Sequence, residues 1–569
     1  MMAIDLKAKP FNLNDGQIKW VKDTLASMTL DEKIGQLFTF VTYTDDEKIL
    51  ESFVKKYHVG GVMCRKMPFD HLMNTVTMLQ TNSKIPLLIS ANLEAGASGV
   101  CREATKVGCQ MSIAAGSGPE GAALLGDICG KEGSALGVNW AFSPVSDIDY
   151  NFRNPITNTR TYGSDPVMVR RCVTEYIKAC QKYGVAATAK HFPGDGCDER
   201  DQHLVSSIND LSCEDWDSTY GAIYKSAIDA GVMTVMTGHI MQPAWSKRLD
   251  PEIKDEDIMP ASLSKELLNG LLRGRLGFNG LIVTDATPMA GFTIPMRRRE
   301  AVPYTIAAGC DMFLFTKSLE EDLEYMKAGI ENGILSQERA DEAITRILAL
   351  KAALGLNEKN LIPNKEEALK LIEKDSKLEL LKKTADESIT LVKDKGNILP
   401  ISPEKHRRIM FYPIERGGGQ IDMYGASSTA NATLVSILKE KGFEVTIFQP
   451  KKQGLEGLMT SSMELEQNYD LLLYSANLAT KSNQTTVRIE WQEPMGCNVP
   501  VYVTSIPSVF VSLENPYHLL DAPRVPVYIN CYQSDEEILR ALVDKLMGKS
   551  KFKGKSPVDA FCGKWDTRL

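Results

Sequence analysis

Along the first 355 or so residues, short runs of consecutive apolar side chains alternate with longer stretches in which apolar positions recur every three or four residues. The short runs are GGVMC (60–64), PLLIS (86–90), GVNWAF (137–142), VAATA (185–189), VMTVM (232–236), GLIVT (280–284) and DMFLF (311–315). Runs of this length, apolar throughout, predict strands buried on both faces. Amphipathic stretches such as Ile18–Leu30, Asp165–Tyr183 and Glu214–Ala230 predict helices around and between them. Strand–helix alternation over more than 300 residues predicts an α/β fold, an N-terminal (β/α)8 barrel of the TIM type rather than one open sheet.

The charged segment Asn357–Lys377, broken early by Ile362-Pro363-Asn364, predicts a linker and a connecting helix. Beyond it the alternation resumes on a smaller scale, with candidate strands SITLVK (388–393), RIMFYP (408–413), EVTIF (444–448), DLLLYS (470–475), PVYVT (500–504), SVFVS (508–512) and PVYIN (526–530). The expected organisation is a catalytic barrel over 1–355, a connection over 356–378 and a doubly wound α/β sandwich domain over 379–569.

Composition narrows the chemistry. Hydrophobic residues make up 43% and charged residues 24% of the 569 positions, so a large core is available and wholesale disorder is excluded. A net charge of −8 lacks the concentrated positive field that nucleic-acid binding needs. With no apolar run of 18 or more residues, a membrane-spanning helix is not expected, and the N-terminus MMAIDLKAKPFNLNDG lacks the apolar core of a signal peptide. A cytoplasmic protein is therefore expected. Its twelve cysteines are scattered singly with no CxxC pair, as structural thiols are. No Walker loop, strand-borne GxGxxG or HExxH is present, so neither a metal nor a cofactor is expected.

Two stretches carry candidate chemistry. Ala189-Lys190-His191-Phe192-Pro193-Gly194-Asp195 leaves a strand and continues through Asp198-Glu199-Arg200-Asp201-Gln202-His203, a loop with more polar groups than can be buried without partners or a ligand. Asp201 and His203 are two positions apart, on one side of an extended loop. A carboxylate there fixes the imidazole tautomer and raises its pKa, giving a group that can donate and retrieve a proton near neutral pH. The second stretch, Gly280-Leu281-Ile282-Val283-Thr284-Asp285, delivers an aspartate at a strand end, where a barrel presents catalytic groups. A fixed anion beneath an anomeric carbon stabilises an oxocarbenium-like transition state and can form a covalent intermediate. An N-cap after the strand is the alternative use of such an aspartate.

Four segments resemble glycoside hydrolase family 3, in its bacterial β-N-acetylglucosaminidase branch. They are Pro144-x-x-Asp147 with Asn154-Pro155 and Arg160-Thr161-Tyr162-Gly163-Ser164-Asp165-Pro166; Lys190-His191-Phe192-Pro193-Gly194 with Asp201-x-His203; Pro260-Ala261-Ser262-Leu263-Ser264 leading through Leu276-Gly277-Phe278 to Asp285; and, late in the chain, Ser512-Leu513-Glu514-Asn515-Pro516-Tyr517 with Gly554-Lys555-Ser556-Pro557-Val558. The resemblance implies a retaining double displacement, with Asp285 as nucleophile and His203, polarised by Asp201, as acid and then base. It implies sugar-hydroxyl contacts from Arg160, Lys190, His191, Asn92 and Glu94. His239 of Met236-Thr237-Gly238-His239 follows a predicted strand, where it either lines the pocket or is a satisfied structural histidine. Three positions depart from the family pattern: Asn92 stands where an aspartate is usual, Ala95 for a glycine, and Asp195 for the branch's histidine.

The activity so implied is exo-acting hydrolysis of terminal β-linked N-acetylglucosamine, with a small carbohydrate as the only partner expected beyond a homodimer, which the sequence leaves open. Three rivals stay open. An imidazole repels phosphate less than a carboxylate does, which suits a phosphorylase. Asn92 suits another β-linked glycone. A catalytically inactive sugar-binding protein is the non-enzymatic case. An Asp198–Glu199 acid pair and an acidic-substrate role for Arg297-Arg298-Arg299 are weaker readings, the triplet being expected as a solvated turn.

Overall fold

The computed structural model describes residues 4–358, 360–373, 375–415, 429–449, 461–480, 482–493 and 496–569. By its contacts the chain divides into two compact units. The first comprises residues 1–107, 122–157 and 166–376; the second comprises 108–121, 158–165 and 377–569. Two short stretches of the first 355 residues thus pack as part of the C-terminal unit.

The first unit is a nearly closed barrel of eight parallel strands. These are β1 (Phe38–Thr42), β2 (Gly61–Cys64), β3 (Leu88–Ala91), β4 (Trp140–Ala141), β5 (Ala186–Phe192), β7 (Thr234–Thr237), β9 (Leu281–Thr284) and β10 (Phe313–Leu314). A separate two-stranded pair, β6 (Ser207–Ile208) and β8 (Ile240–Met241), lies in the loops. The barrel order is β10-β1-β2-β3-β4-β5-β7-β9. Seven of these strands fall on the seven apolar runs. The eighth, β1, is not among those runs although Phe38-Thr39-Phe40-Val41-Thr42 is made of strand formers: the helix Leu30–Gln36, capped by Thr29 and Glu32, reaches it across the single residue Leu37 with no glycine or proline to mark the boundary. The interior holds a polar layer as well as aliphatic side chains. The buried Trp140 indole N–H donates to the hydroxyls of Thr188 and Thr234, 3.0 Å from each, and these hydroxyls donate onward to the carbonyls of Ala141 and Ala187.

Asp311 reinforces the closing seam. Between β9 and β10 only one bridge forms, Val283 to Met312. The Asp311 N–H donates to the Ile282 carbonyl at 2.7 Å, and its carboxylate accepts the Ile282 N–H at 2.9 Å. The same buried carboxylate pairs with Arg273 (2.5 Å), Arg339 (2.8 Å) and Arg346 (3.6 Å). Burial alone would raise this carboxyl; the three guanidiniums and the Ile282 N–H more than reverse that and hold it low.

The second unit is a six-stranded sheet: β11 (Thr390–Asp394), β12 (Arg408–Glu415), β13 (Glu444–Ile447), β14 (Leu471–Asn477), β15 (Ser508–Ser512) and β16 (Val527–Asn530), ordered β11-β16-β15-β14-β12-β13. All neighbours are parallel except the edge strand β11. The five parallel strands follow the doubly wound 2-1-3-4-5 order, in agreement with the sequence reading. Period-two alternation divides the side chains between two cores. Ile409, Phe411, Leu471, Leu473, Val509 and Val511 meet the helices Ala430–Glu440 and Glu536–Leu546. Tyr412, Tyr474, Phe510 and Tyr528 stack across the opposite face. The run 500–504 is not a strand. Prolines at 500 and 507 bracket it, and both Ser505 and Ile506 donate back to the Tyr502 carbonyl in a turn that leaves Val501 exposed. In the connecting segment, the helix Lys365–Ile372 is capped by Asn364 and belongs by contact to the first unit; positions 359 and 374 lie outside the described residues. Among the described residues no helix is long and apolar enough to cross a membrane.

Removing Asp311 takes the counter-charge from the buried Arg273 and one of two carboxylate partners from Arg339 and Arg346, which also pair with Glu342. Asp311→Ala is expected to lower the unfolding free energy of the barrel by about 3–5 kcal/mol, measured by denaturant titration. A loss below about 1 kcal/mol would mean that the seam is held by packing alone.

Candidate active site

The C-terminal ends of the barrel strands bring most of the sequence-predicted residues together. Asn92 and Glu94 follow β3, Asp147 and Asn154 follow β4, and Lys190 and His191 lie within β5. Asp201 and His203 lie on the loop between β5 and β6, His239 follows β7, and Asp285 follows β9. Neighbouring residues of a strand normally face opposite ways. Here the β5–β7 register shifts between Lys190 and Phe192, and the bulge turns both Lys190 and His191 to the same mouth of the barrel. Lys190 Nζ donates to Glu94 Oε1 at 2.7 Å, while His191 meets Asp147 and Asp285.

Asp147 organises this part of the site, although the sequence reading cast it only as a motif residue. One of its carboxylate oxygens accepts the backbone N–H groups of His191 (3.0 Å) and Asp195 (2.8 Å); the other accepts His191 Nδ1–H at 2.7 Å. That bond leaves His191 Nε2 facing Asp285 Oδ2 at 3.8 Å. Asp285 is held by its own N–H on the Thr237 carbonyl (2.8 Å) and by the Ala286 N–H on Oδ1 (2.7 Å). Its side chain keeps about 15% of its surface open. Burial would raise the Asp285 carboxyl; the fields of His191, His239 and His203, with the Ala286 N–H, overcome this and hold it below the ordinary carboxylate value. It is an anion ready to act.

His203 stands on the facing loop. Its Nδ1–H donates to Asp201 Oδ1 at 2.7 Å, and its backbone N–H donates to the same oxygen at 2.8 Å. The two are joined in a tight turn rather than an extended loop. Asp201 is buried, while the ring keeps about a quarter of its surface exposed. The loop is bonded directly to the segment that follows Asp285: the Ala290 N–H donates to the His203 carbonyl and the Gly291 N–H to the Gln202 carbonyl, both at 3.1 Å. The two catalytic candidates, 82 positions apart, therefore share one hydrogen-bonded surface.

Other residues are placed differently from expectation. His239 is fully buried, with Nε2–H donating to the Ala286 carbonyl at 3.0 Å and Nδ1 accepting from Ser262 Oγ at 2.9 Å. It has no ring nitrogen left for a sugar, and it braces Ala286, the residue after Asp285, instead of lining the pocket. Burial takes its pKa down to about 4, against the pull of Asp285. Arg160 ends the turn Asn158–Arg160 in a stretch that packs with the second unit, where Asn158 bonds Asn515 and the Ser164 N–H bonds the Pro557 carbonyl. The barrel unit does not itself supply it. Asp198 pairs with Arg200 and Glu199 with Arg153, so they do not form an acid pair. Arg298 is no solvated turn residue: it pairs with Asp322 at 2.6 Å and donates to the carbonyl and hydroxyl of Thr287, just beyond Asp285. Only a long-range partner identifies it; nothing in the local triplet does. Among the described residues no three or more His, Cys, Asp or Glu side chains are grouped to hold a metal ion.

A (β/α)8 barrel with an anionic strand-tip aspartate and an Asp-oriented imidazole on an adjacent loop is an enzyme scaffold of the acid/base–nucleophile class. The profile of the glycosyl hydrolase family 3 N-terminal domain matches residues 29–350. The chain belongs to glycosyl hydrolase family 3 and is an enzyme acting on glycosides. It is 53% identical over 566 residues, the full length of both chains, to a beta-N-acetylglucosaminidase/beta-glucosidase of Cellulomonas fimi. A solved beta-glucoside phosphorylase, BglX, superposes with a TM-score of 0.93 at 44% identity, covering 99% of each chain. A family 3 beta-N-acetylglucosaminidase from Paenibacillus sp. str. FPU-7 superposes with a TM-score of 0.79 at 26% identity, over 94% of this chain and 99% of that one.

The buried His239 predicts a pH signature. Its folded pKa of about 4 lies below the usual 6.5, so the stability it contributes is present above about pH 6.5 and is lost as pH falls toward 4. The difference in unfolding free energy between the wild type and His239→Gln is expected to shrink by about 3 kcal/mol from pH 7 to pH 4, measured by denaturant titration.

Proposed function

We propose that the protein cleaves terminal β-linked N-acetylglucosamine, and β-glucose with it, from small glycosides by a retaining double displacement. The observation that carries this reading is the Asp285 anion facing a loop whose imidazole is oriented by Asp201 and whose backbone is bonded to the Asp285 segment. In the first step an Asp285 oxygen bonds to the anomeric carbon as the glycosidic C–O bond breaks, and His203 Nε2–H gives its proton to the departing oxygen. In the second, an acceptor oxygen attacks the same carbon, its proton passes to His203, and the Asp285 carboxylate is released. The configuration at the anomeric carbon is retained. Lys190, His191, Glu94 and Asn92 are proposed to hold the glycone hydroxyls from the strand tips. Asn92 brings hydrogen bonds without a charge, and the dual name of the Cellulomonas fimi relative supports a site that tolerates both glycones.

A second reading concerns the acceptor, and the likeness to the solved beta-glucoside phosphorylase favours it. Water needs a base to become a nucleophile. Phosphate arrives already anionic, and a neutral imidazole does not repel it as a carboxylate would. Cleavage then yields a sugar 1-phosphate in place of the free sugar.

His203→Ala is expected to lower kcat by about 10²–10⁴-fold on glycosides with poor leaving groups, and Asp285→Ala to abolish turnover. Product analysis of the wild type with and without inorganic phosphate assigns the acceptor: sugar 1-phosphate in one case, free sugar in both in the other. No turnover across nitrophenyl β-glycosides, with phosphate present or absent, would overturn the enzymatic assignment of these residues.

A further inference from the structure

The loop that carries His203 is built from glycine, proline and charged residues, which do not fix a conformation locally. Something must hold it, because an acid group displaced by about 1 Å from its bond forfeits much of its effect. The residue beside His203 does so. Gln202 is fully buried, and both side-chain polar atoms and its carbonyl oxygen have partners. Its Oε1 accepts the His239 N–H at 2.8 Å, its Nε2 donates to Asp195 Oδ2 at 3.1 Å, and its carbonyl accepts the Gly291 N–H at 3.1 Å. A backbone N–H on one side and a carboxylate on the other admit one orientation of the amide. Asp195 continues the chain of bonds. Its other oxygen accepts Asn154 Nδ2–H (2.9 Å) and the Gly196 N–H (2.7 Å), and its own N–H is held by Asp147 (2.8 Å). One buried residue thus connects the turn after β5, the segment after β7 and the helical turn after β9, and through Asp195 the β4 loop. Gly291 allows the approach: a Cβ there would stand 2.8 Å from the Gln202 carbonyl oxygen and 2.8 Å from His239 Cβ.

We propose that Gln202 and Asp195 are positioning residues, a latch that holds the acid/base loop against the segment after Asp285 and so sets where His203 meets the leaving-group oxygen. The proposal rests on His203 being the acid/base.

The test is a reciprocal exchange. Gln202→Glu sets two carboxylates against each other, and Asp195→Asn sets two amide donors against each other, because the Asn154 and Gly196 donors hold the asparagine oxygen on their own side. In the double variant, Gln202→Glu with Asp195→Asn, the new carboxylate accepts both the His239 N–H and the asparagine amide. The readout is kcat/KM on a pair of aryl β-glycosides, a dinitrophenyl glycoside that leaves unprotonated and a phenyl glycoside that needs the proton. Each single variant is expected to lose about 10-fold to 10²-fold on the phenyl glycoside and much less on the dinitrophenyl one, with recovery in the double variant. Gly291→Ala, which displaces the loop without removing a polar group, is expected to show the same leaving-group pattern. Equal losses on both substrates, no loss in the single variants, or no recovery in the double variant would overturn the latch. His203→Ala on the same pair tests the underlying assignment separately. If it fails to discriminate between leaving groups, the acid/base reading falls; if it discriminates and the single variants do not, the latch alone falls.

Discussion

At the seam where the barrel closes, a buried carboxylate reinforces a sparse main-chain ladder. A single bridge joins β9 to the residue before β10, and Asp311 adds to it, bonding Ile282 with both its backbone and its side chain. Burying that charge is unfavourable unless it is matched, and Arg273, Arg339 and Arg346 match it from two helical segments that pack outside the strands. The pairing sets geometry more than it adds net stability. It fixes the strand whose far end presents Asp285, so a charge cluster at one level of the barrel helps set where that carboxylate stands at another.

The same logic runs through the site. Both imidazoles at the mouth of the barrel are oriented by buried carboxylates, whereas Asp285 is held by backbone groups. Asp147 orients His191, Asp201 orients His203, and the Asp195–Gln202 pair spans the loop between them. Packing acids this closely has a consequence. Burial and the nearby Asp147 push Asp195 up to about 7, while imidazoles on three elements keep Asp285 low. Carboxylates within one site are thereby driven to opposite protonation behaviour by their surroundings.

Seven of eight barrel strands were legible as apolar runs because strands buried on both faces need no polar alternation. β1 was not, because a capped helix flows into it without a turn residue. The false strand at 500–504 had the right side chains, but its backbone turns back on itself, the Ser505 and Ile506 N–H groups donating to the Tyr502 carbonyl instead of to a neighbouring strand. At the site, Asp285 and the Asp201–His203 pair were legible because strand ends and two-residue spacings are local properties. The use of consecutive Lys190 and His191 on one face was not, because it arises from a bulge in the pairing of β5 with β7.

Local order along the chain was enough to determine the alternation of elements, the fold class and the candidates that sit at strand tips. Only tertiary structure decided that His239 is a sealed brace, that Arg298 is paired beneath the nucleophile segment, that the 158–165 stretch bearing Arg160 packs with the C-terminal unit, and that Gln202 bonds three elements at once. The reason is physical. Burial and hydrogen-bond partners are set by groups dozens of positions away, and no window of neighbouring residues contains them.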